Sequence, residues 1–90
     1  MIVDNLDNIK KKDFFAIIIG SGPAGITTAL ELERKKIKTL IIEAGEIEPN
    51  TNIQKFLQGK VIGDEYADIS VSRLRQFGGT SGLWGGWSKP

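Results

Sequence analysis

The sequence predicts an α/β fold whose opening unit is a strand, a helix and a second strand parallel to the first. Residues 14–19 are an unbroken apolar run rich in β-branched side chains, which is typical of a parallel strand covered on both faces. Residues 24–36 carry apolar side chains at helical spacing, and residues 38–43 predict a second strand in which Leu40, Ile41 and Ile42 are buried. A glycine-rich turn at residues 20–25 separates the first strand from the helix. This order predicts a β-α-β unit.

The predicted helix has a beginning and an end that fit its position. Pro23 suits the first turn, because the N–H that proline lacks has no partner within the helix there. Ala29, Leu30 and Leu32 are the side chains expected to face the sheet. Basic residues 34–36 lie at the C-terminal end, where positive charge complements the helix dipole.

The second half of the chain is less regular. Residues 44–52 contain glycine and proline and predict a loop, and residues 53–57 predict a short helix. Residues 60–63 and 69–74 predict short strands or irregular segments. Residues 78–86 include five glycines. Because glycine weakens a helix by about 1 kcal/mol per position relative to alanine, no regular helix is expected there.

Composition excludes several classes of function. The 90 residues carry 12 basic and 11 acidic side chains and a net charge of +1, so bulk charge favours neither nucleic acid nor an anionic membrane. The chain has no Cys and no His, which excludes disulfides, thiolate chemistry and histidine bases within these residues. The longest apolar run is far shorter than the ~20 residues of a membrane-spanning helix. Residues 1–12 lack the apolar core of a signal peptide, so a cytoplasmic location is the default expectation.

The glycine turn has the form Gly-X-Gly-X-X-Gly. Gly20 permits the tight turn out of the strand, Gly22 lets backbone approach a pyrophosphate closely, and Gly25 lets the helix pack near the strand. The helix N-terminus offers phosphate groups its unpaired N–H groups and the positive end of its dipole. A strand, this turn and a helix in that order predict a Rossmann-type dinucleotide-binding unit. The alternative is a glycine turn that only packs the unit.

Glu43 ends the second predicted strand, where such units place an acid. Its carboxylate is expected to accept hydrogen bonds from both hydroxyls of an adenosine ribose. The same charge repels a 2′-phosphate, which disfavours NADP. The alternative is a solvated charge at a strand end.

A second glycine-rich segment lies at residues 75–90. Gly79, Thr80 and Ser81 offer close backbone approach, backbone donors and two hydroxyl groups, which suit a pyrophosphate or a flavin edge. A structural glycine loop is the alternative. The two tryptophans of this segment either stack on a ligand ring or serve as core or interface residues.

Together these motifs resemble the N-terminal flavin domain of the glucose–methanol–choline (GMC) oxidoreductases. The resemblance rests on residues 20–25, on Glu43, Ala44 and Gly45, on residues 78–81, and on Trp84, Gly85 and Gly86. It implies FAD as the cofactor, since the Pro-Ala pair of the turn and the Glu-Ala-Gly sequence are similar to those of flavoproteins. The physics of the turn by itself accepts either dinucleotide.

The resemblance also implies a reaction, which is hydride transfer from the CH–OH group of an alcohol or sugar to the flavin. In that family a C-terminal histidine with a His or Asn partner supplies the base, and no residue of this chain fits the role. No catalytic residue and no metal ligand is therefore expected here. The cofactor-binding residues expected are Gly20, Ser21, Gly22, Pro23, Ala24, Gly25, Glu43, Ala44, Gly79, Thr80, Ser81, Trp84 and Gly85.

The predicted domain is incomplete. Residues 1–12 form a polar lead-in, residues 13–45 the β-α-β unit, residues 46–74 a variable connection and residues 75–90 a flavin-contacting loop. Two strands are too few to bury both faces of a parallel sheet. The chain is therefore expected to be the N-terminal part of a larger FAD/NAD(P)-binding domain, a truncated product or fragment that is inactive alone.

Two other functions are consistent with the same motifs. One is a non-catalytic dinucleotide-binding module that stands alone or is completed by a partner. The other is the start of an NAD(P)-linked flavin reductase or monooxygenase. The expected partners are FAD and, in a full-length protein, a small alcohol or sugar, with neither nucleic acid nor a membrane span.

Overall fold

The computed structural model describes residues 2–7 and 9–83. Its strands are β1 (Ala16–Ile19) and β2 (Thr39–Ile42), and its α-helices are α1 (Pro23–Arg34), α2 (Thr51–Gln54) and α3 (Ile69–Ser72). Short 3-10 helices lie at Lys11–Asp13, Lys55–Leu57 and Gly79–Leu83.

The two strands pair in parallel, and α1 connects them. Ala16 pairs with Thr39, and Ile19 pairs with Ile42. Beyond the last pair, the Gly20 N–H donates to the Ile42 carbonyl at 2.8 Å, so the glycine turn begins at the carboxyl end of the sheet. This arrangement confirms the predicted α/β fold with its parallel β-α-β unit.

The cap that follows helix α1 contains a residue in the left-handed backbone conformation. Lys36 has φ 59°. The Lys36 N–H donates to the Glu33 carbonyl at 2.8 Å, and the Ile37 N–H donates to the Leu32 carbonyl at 2.9 Å. These two bonds form a Schellman motif, which usually has glycine at the left-handed position. The cap turns the chain sharply and aims Ile37 toward β2.

One face of β1 is covered and the other is not. The Ile18 side chain lies beneath α1, 3.3 Å from where a Cβ on Gly25 would lie. On the opposite face, Phe15 is 86% exposed, Ile17 43% and Ile19 87%. The expectation that β1 is covered on both faces is therefore wrong for the part of the chain that the structure describes, where no apolar side chain is fully buried. A sheet face of this kind needs a further layer to bury it.

One side chain of helix α1 does not face the sheet as predicted. Leu30 is 55% exposed, whereas Ala29 and Leu32 are half-buried. Leu30 therefore does not face the sheet as the spacing predicted. Among the described residues, the helices are all too short or too polar to cross a membrane.

The connection after β2 contains two short helices rather than strands. The Asn50 side chain caps α2 by accepting from the N–H groups of Asn52 and Ile53, which confirms the predicted helix near this position. The Asp68 carboxylate caps α3 by accepting from the Ser70 N–H at 2.8 Å. The prediction of a short strand or irregular segment at residues 69–74 is wrong over Ile69–Ser72, because the Asp68 cap starts a helical turn there.

The Gln54 side chain ties the two short helices together. Its amide nitrogen donates to the carbonyls of Ser70 and Arg73, and its amide oxygen accepts from the Arg75 N–H at 3.1 Å. These three bonds hold residues 70–75 against α2. The chain that follows is thereby directed back toward the end of β2.

Residues 75–77 return alongside the residues that follow β2. Glu46 and Gln76 form an isolated parallel bridge, and the Phe77 N–H donates to the Glu46 carbonyl at 2.9 Å. Gly45 makes this approach possible, because a Cβ there would lie 2.3 Å from the Gln76 Cα. The second glycine-rich segment is thus brought to the same edge of the sheet as the first.

The left-handed cap predicts a stabilising substitution. Lys36→Gly should raise the free energy of unfolding by about 0.5–1 kcal/mol, because the strain of a left-handed side-chain residue exceeds the added freedom of the unfolded chain. Urea or thermal unfolding of the purified protein measures the change.

The neighbouring residue is the matched control for this prediction. Lys35 has φ −84°, which carries no such strain, so Lys35→Gly should lower stability. Equal losses from the two substitutions would contradict the assignment of the cap.

Candidate dinucleotide-binding site

The first glycine turn has the backbone that its sequence predicts. Gly20 has φ 96°, a conformation that side-chain residues rarely adopt. A Cβ on Gly25 would lie 2.1 Å from the Gly20 carbonyl oxygen. The close contact between the helix and the end of the strand therefore requires glycine at position 25.

Gly22 differs from Gly25, because the space beside it is open. A Cβ on Gly22 would meet no atom within 4 Å. Gly22 is the N-cap of α1 and offers no side-chain acceptor to the first turn, and Pro23 follows at the first helical position. The N–H groups at the start of a helix without such a cap have no partner within the helix and favour an anion. An open space beside a helix N-terminus is the surrounding that the predicted diphosphate site requires.

Ser21 is enclosed by the protein. It is 0% exposed, unlike the glycines on either side of it. Its hydroxyl donates to Glu43 Oε2 at 2.6 Å, and its backbone N–H donates to the same oxygen at 2.7 Å. The Ser21 side chain is therefore engaged with Glu43 and not with the open space beside Gly22.

Glu43 accepts four hydrogen bonds from the protein. Oε2 accepts the two from Ser21, and Oε1 accepts from the N–H groups of Ala44 and Gly45 at 2.8 Å each. Partial burial raises the pKa of the Glu43 carboxyl, but the bonds from Ser21, Gly45 and Ala44 together outweigh it and hold the pKa below its usual value. Glu43 is therefore ionised at neutral pH.

These four hydrogen bonds restrict the access of a ribose hydroxyl to the Glu43 carboxylate. A carboxylate has about four lone-pair sites, and protein donors occupy that number here. A ribose hydroxyl would have to share or displace one of these donors to reach the carboxylate. The solvated charge considered as the alternative does not fit the geometry, since both oxygens are bonded to the protein.

A cleft of about 740 Å³ opens beside Glu43. Apolar side chains from β2 and from the segments that follow form part of its wall, among them Leu40, Ile47 and Phe77. Residues 2–4 of the N-terminal segment complete the lining. The wall of this cleft therefore combines apolar side chains with the Glu43 carboxylate.

The second glycine-rich segment lies against the first. The Gly78 N–H donates to the Ser21 carbonyl at 3.1 Å and to the Ser21 hydroxyl at 3.2 Å. A Cβ on Gly79 would lie 3.1 Å from the Gly22 Cα. Gly78 has φ 87° and Gly79 has φ 64°, so both the turn and the close approach favour glycine. The structure thus brings the two predicted motifs together.

The hydroxyl groups of this second segment are used within the protein. Thr80 Oγ1 accepts from the Leu74 N–H at 3.2 Å, and the Ser81 hydroxyl donates to the Gly78 carbonyl at 2.7 Å. Gly79–Leu83 is a 3-10 helix, so the expectation of no regular helix from residue 78 onward is wrong here. The tight turn closes because Ser81 bonds back to Gly78.

The remaining predicted residues are placed as follows. Pro23 and Ala24 begin α1 at the edge of the open space, and Ala44 presents its N–H to Glu43. Trp84 and Gly85 lie outside the described residues. Arg75 lies with its guanidinium 5.1 Å from the centre of the Phe56 ring, so its charge is directed to an aromatic side chain.

Sequence reasoning missed three contributors to this site. Gln54 directs the returning chain, Phe77 forms part of the cleft, and residues 2–4 line it. The sequence predicts only a polar lead-in for residues 1–12. Gly45 was the one available signal, because a glycine two residues after the acid that ends a strand is typical of a place where another backbone passes close by.

Comparison with known proteins identifies the cofactor of this segment. Residues 16–52 match the family model described as an FAD binding domain. This range contains β1, the glycine turn, α1, β2 and Glu43. The prediction of FAD is confirmed, and the segment is an FAD-binding one.

Two curated proteins that share a name are similar to this chain. The chain is 32% identical over 74 residues to a protein named thioredoxin reductase from Listeria monocytogenes, a match that covers 77% of this chain and 23% of the relative. A protein of the same name from Streptomyces coelicolor is 36% identical over 69 residues, which covers 69% of this chain and 21% of the relative. The chain thus spans less than a quarter of the length of these relatives. No solved structure matches it significantly.

These matches do not single out the GMC oxidoreductases. The family model describes FAD binding in general, and the relatives carry the name thioredoxin reductase. The comparisons therefore support an FAD-binding segment and leave the GMC resemblance resting on the sequence motifs.

The different surroundings of Gly22 and Gly25 predict different effects of substitution. Gly22→Val should leave the stability of the FAD-free protein unchanged, because the space is open and φ is −67°. It should weaken FAD binding roughly ten- to hundredfold, the equivalent of an overpacking cost of about 1–3 kcal/mol. FAD titration by fluorescence quenching and thermal unfolding measure the two effects.

The controls separate binding from folding. Gly25→Ala should destabilise the FAD-free protein, because its Cβ would meet the Gly20 carbonyl oxygen. Gly59→Val should change neither property, since position 59 also has open space but lies in the connection. Unchanged FAD affinity in Gly22→Val would contradict the placement of the diphosphate.

Proposed function

We propose that this chain is the FAD-binding part of an FAD-dependent oxidoreductase that acts on the CH–OH groups of alcohols or sugars. The observation that carries the proposal is the contact between the two glycine-rich segments. Gly79 lies against Gly22, and Gly78 bonds to Ser21. This contact supports a single cofactor surface built from both motifs, which is the combination that the GMC resemblance implies.

The residues of the chain have separate tasks in this proposal. The first turn of α1, beyond Gly22, holds the diphosphate through backbone N–H groups. Glu43 lies beside the cleft and is the acceptor for the adenosine ribose, in exchange for part of its present hydrogen bonding. Thr80 and Ser81 shape the second segment, which lies along the cofactor.

The bound FAD would supply the redox chemistry by accepting a hydride from the substrate carbon. The chain contains no histidine, and Glu43 is bound by four protein donors, so the chain supplies binding and orientation. We assign no base among its residues.

The relatives favour a second candidate, which is an FAD-dependent reductase of a protein disulfide. The observation behind it is the name thioredoxin reductase carried by proteins from Listeria and Streptomyces. The chain contains no cysteine. Any thiol group that took part would therefore belong to residues outside these 90.

Reduction of the flavin distinguishes the two candidates. The purified, FAD-loaded full-length protein that contains this chain is mixed without oxygen with a panel of alcohols and sugars, and separately with NADH or NADPH. For the first candidate, an alcohol or sugar should reduce the flavin, so that its absorption band at about 450 nm is lost.

The other outcomes are equally informative. Bleaching by a nicotinamide dinucleotide alone, followed by reoxidation when oxidised thioredoxin is added, would replace the first candidate by the second. A purified protein without any flavin band, even after incubation with FAD, would contradict both.

A further inference from the structure

We infer that Ser21 is a positioning residue whose buried hydroxyl fixes the Glu43 carboxylate and the Gly78 amide in one arrangement, so that the two glycine-rich segments present a single surface to FAD. The inference rests on the proposed function only in that FAD is the ligand. It concerns a side chain that is fully buried in the wall of the cleft beside Glu43.

The hydroxyl of Ser21 has two partners on separate parts of the chain. It donates to Glu43 Oε2 at 2.6 Å and accepts from the Gly78 N–H at 3.2 Å. Ser21 itself lies in the first glycine turn. One oxygen atom therefore connects the turn, the end of β2 and the second glycine segment.

Burial protects the hydrogen bonds of the Ser21 hydroxyl from competition by water. Ser21 is 0% exposed, so water does not compete for its hydroxyl. A hydroxyl group has one donor and two acceptor positions. With its donor directed to the carboxylate, the oxygen is free to accept the Gly78 N–H. An ionised Glu43 therefore sets the direction of the hydroxyl, and the hydroxyl in turn helps to hold Gly78.

Protonation of Glu43 weakens this arrangement. The Glu43 carboxyl titrates below its ordinary pKa, since hydrogen bonds from Ser21, Gly45 and Ala44 outweigh the effect of partial burial. The contribution of such a group to binding and stability is present above its ordinary pKa and is lost as the pH falls through the lowered pKa. Removing the Ser21 hydroxyl takes away one of the lowering bonds, so the loss should begin at higher pH.

Other acids line the same cleft and must be distinguished from Glu43. They are Asp4 from the N-terminal segment and Glu46 and Glu48 from the chain after β2. Within the described ranges no basic side chain lines the cleft. A Glu43→Gln background removes the Glu43 carboxylate and leaves the other three acids in place.

The test measures FAD affinity of the intact protein from neutral to acidic pH. Ser21→Ala should weaken FAD binding about tenfold at neutral pH. It should also move the acid-side loss of FAD to higher pH. In the Glu43→Gln background, Ser21→Ala should no longer shift the pH profile, because the carboxylate through which it acts is gone.

Ser70→Ala is the matched control. The Ser70 hydroxyl also donates to a carboxylate at 2.6 Å, that of Asp68, but this pair is exposed and lies at the start of α3. Loss of this bond should leave both the FAD affinity and its pH profile unchanged.

A second variant covers the case in which Ser21→Ala does not fold. Glu43→Asp keeps the charge but shortens the side chain by one methylene group, which withdraws the carboxylate from the Ser21 hydroxyl. It should reproduce the shift of FAD loss to higher pH. Exchange of the Gly78 amide hydrogen should accelerate in the same variant.

The results separate this inference from the proposed function. Wild-type protein that binds no FAD would contradict the proposed function. Wild-type protein that binds FAD, with a Ser21→Ala variant of unchanged affinity and pH profile, would overturn only the role of Ser21. An equal loss of affinity at every pH and in both Glu43 backgrounds would also overturn it, because that result indicates packing alone.

Discussion

The carboxylate of Glu43 joins the parts of the chain from which the site is built. Its two oxygens accept hydrogen bonds from Ser21 in the first glycine turn and from the N–H groups of Ala44 and Gly45 directly after β2. The parallel pairing of β1 and β2 brings the turn and the strand end to the same edge of the sheet. Because this edge is only partly buried, hydrogen bonds rather than apolar packing hold these groups together.

The same constraint explains why three glycines have three separate roles. Gly25 allows α1 to approach the Gly20 carbonyl, and Gly45 allows residues 75–76 to pass beside the end of β2. Gly22 contacts Gly79, but a Cβ on Gly22 would itself point into open space. The first two glycines are therefore needed for folding, whereas the third leaves room for a ligand. A glycine-rich motif read as one unit conceals this difference.

The fold was predictable from local sequence because its signals are local. The apolar runs, the turn between them and Pro23 at the start of α1 each depend on neighbouring residues, and the structure contains β1, α1 and β2 at these places. The helical turn of α3 was missed although Asp68 is a good capping residue, since the β-branched residues after it favour a strand.

The arrangement of the site was less predictable, because its decisive contacts join distant residues. The hydrogen bond between Ser21 and Gly78 spans 57 positions, and no pattern around either residue specifies it. The Gln54 side chain is similar, since its partners lie 16 to 21 positions further on. The sequence predicts that both glycine segments contact the cofactor, which stays a prediction. It does not predict the contact of the two segments with each other that the structure contains.

The small amount of apolar burial gives these polar contacts greater weight. Phe15, Ile17 and Ile19 form an open row on one face of β1, and the described residues contain no fully buried apolar side chain. Burial of apolar surface usually stabilises a domain by about 25 cal/mol per Å². Where little of that surface is buried, hydrogen bonds such as those around Ser21 account for a larger share of the stability of the folded site. A ligand that fills the cleft beside Glu43 would contact residues 2–4, the end of β2 and Phe77 together. Since binding would stabilise only the folded form that contains this cleft, the binding of such a ligand and the ordering of the site are thermodynamically coupled.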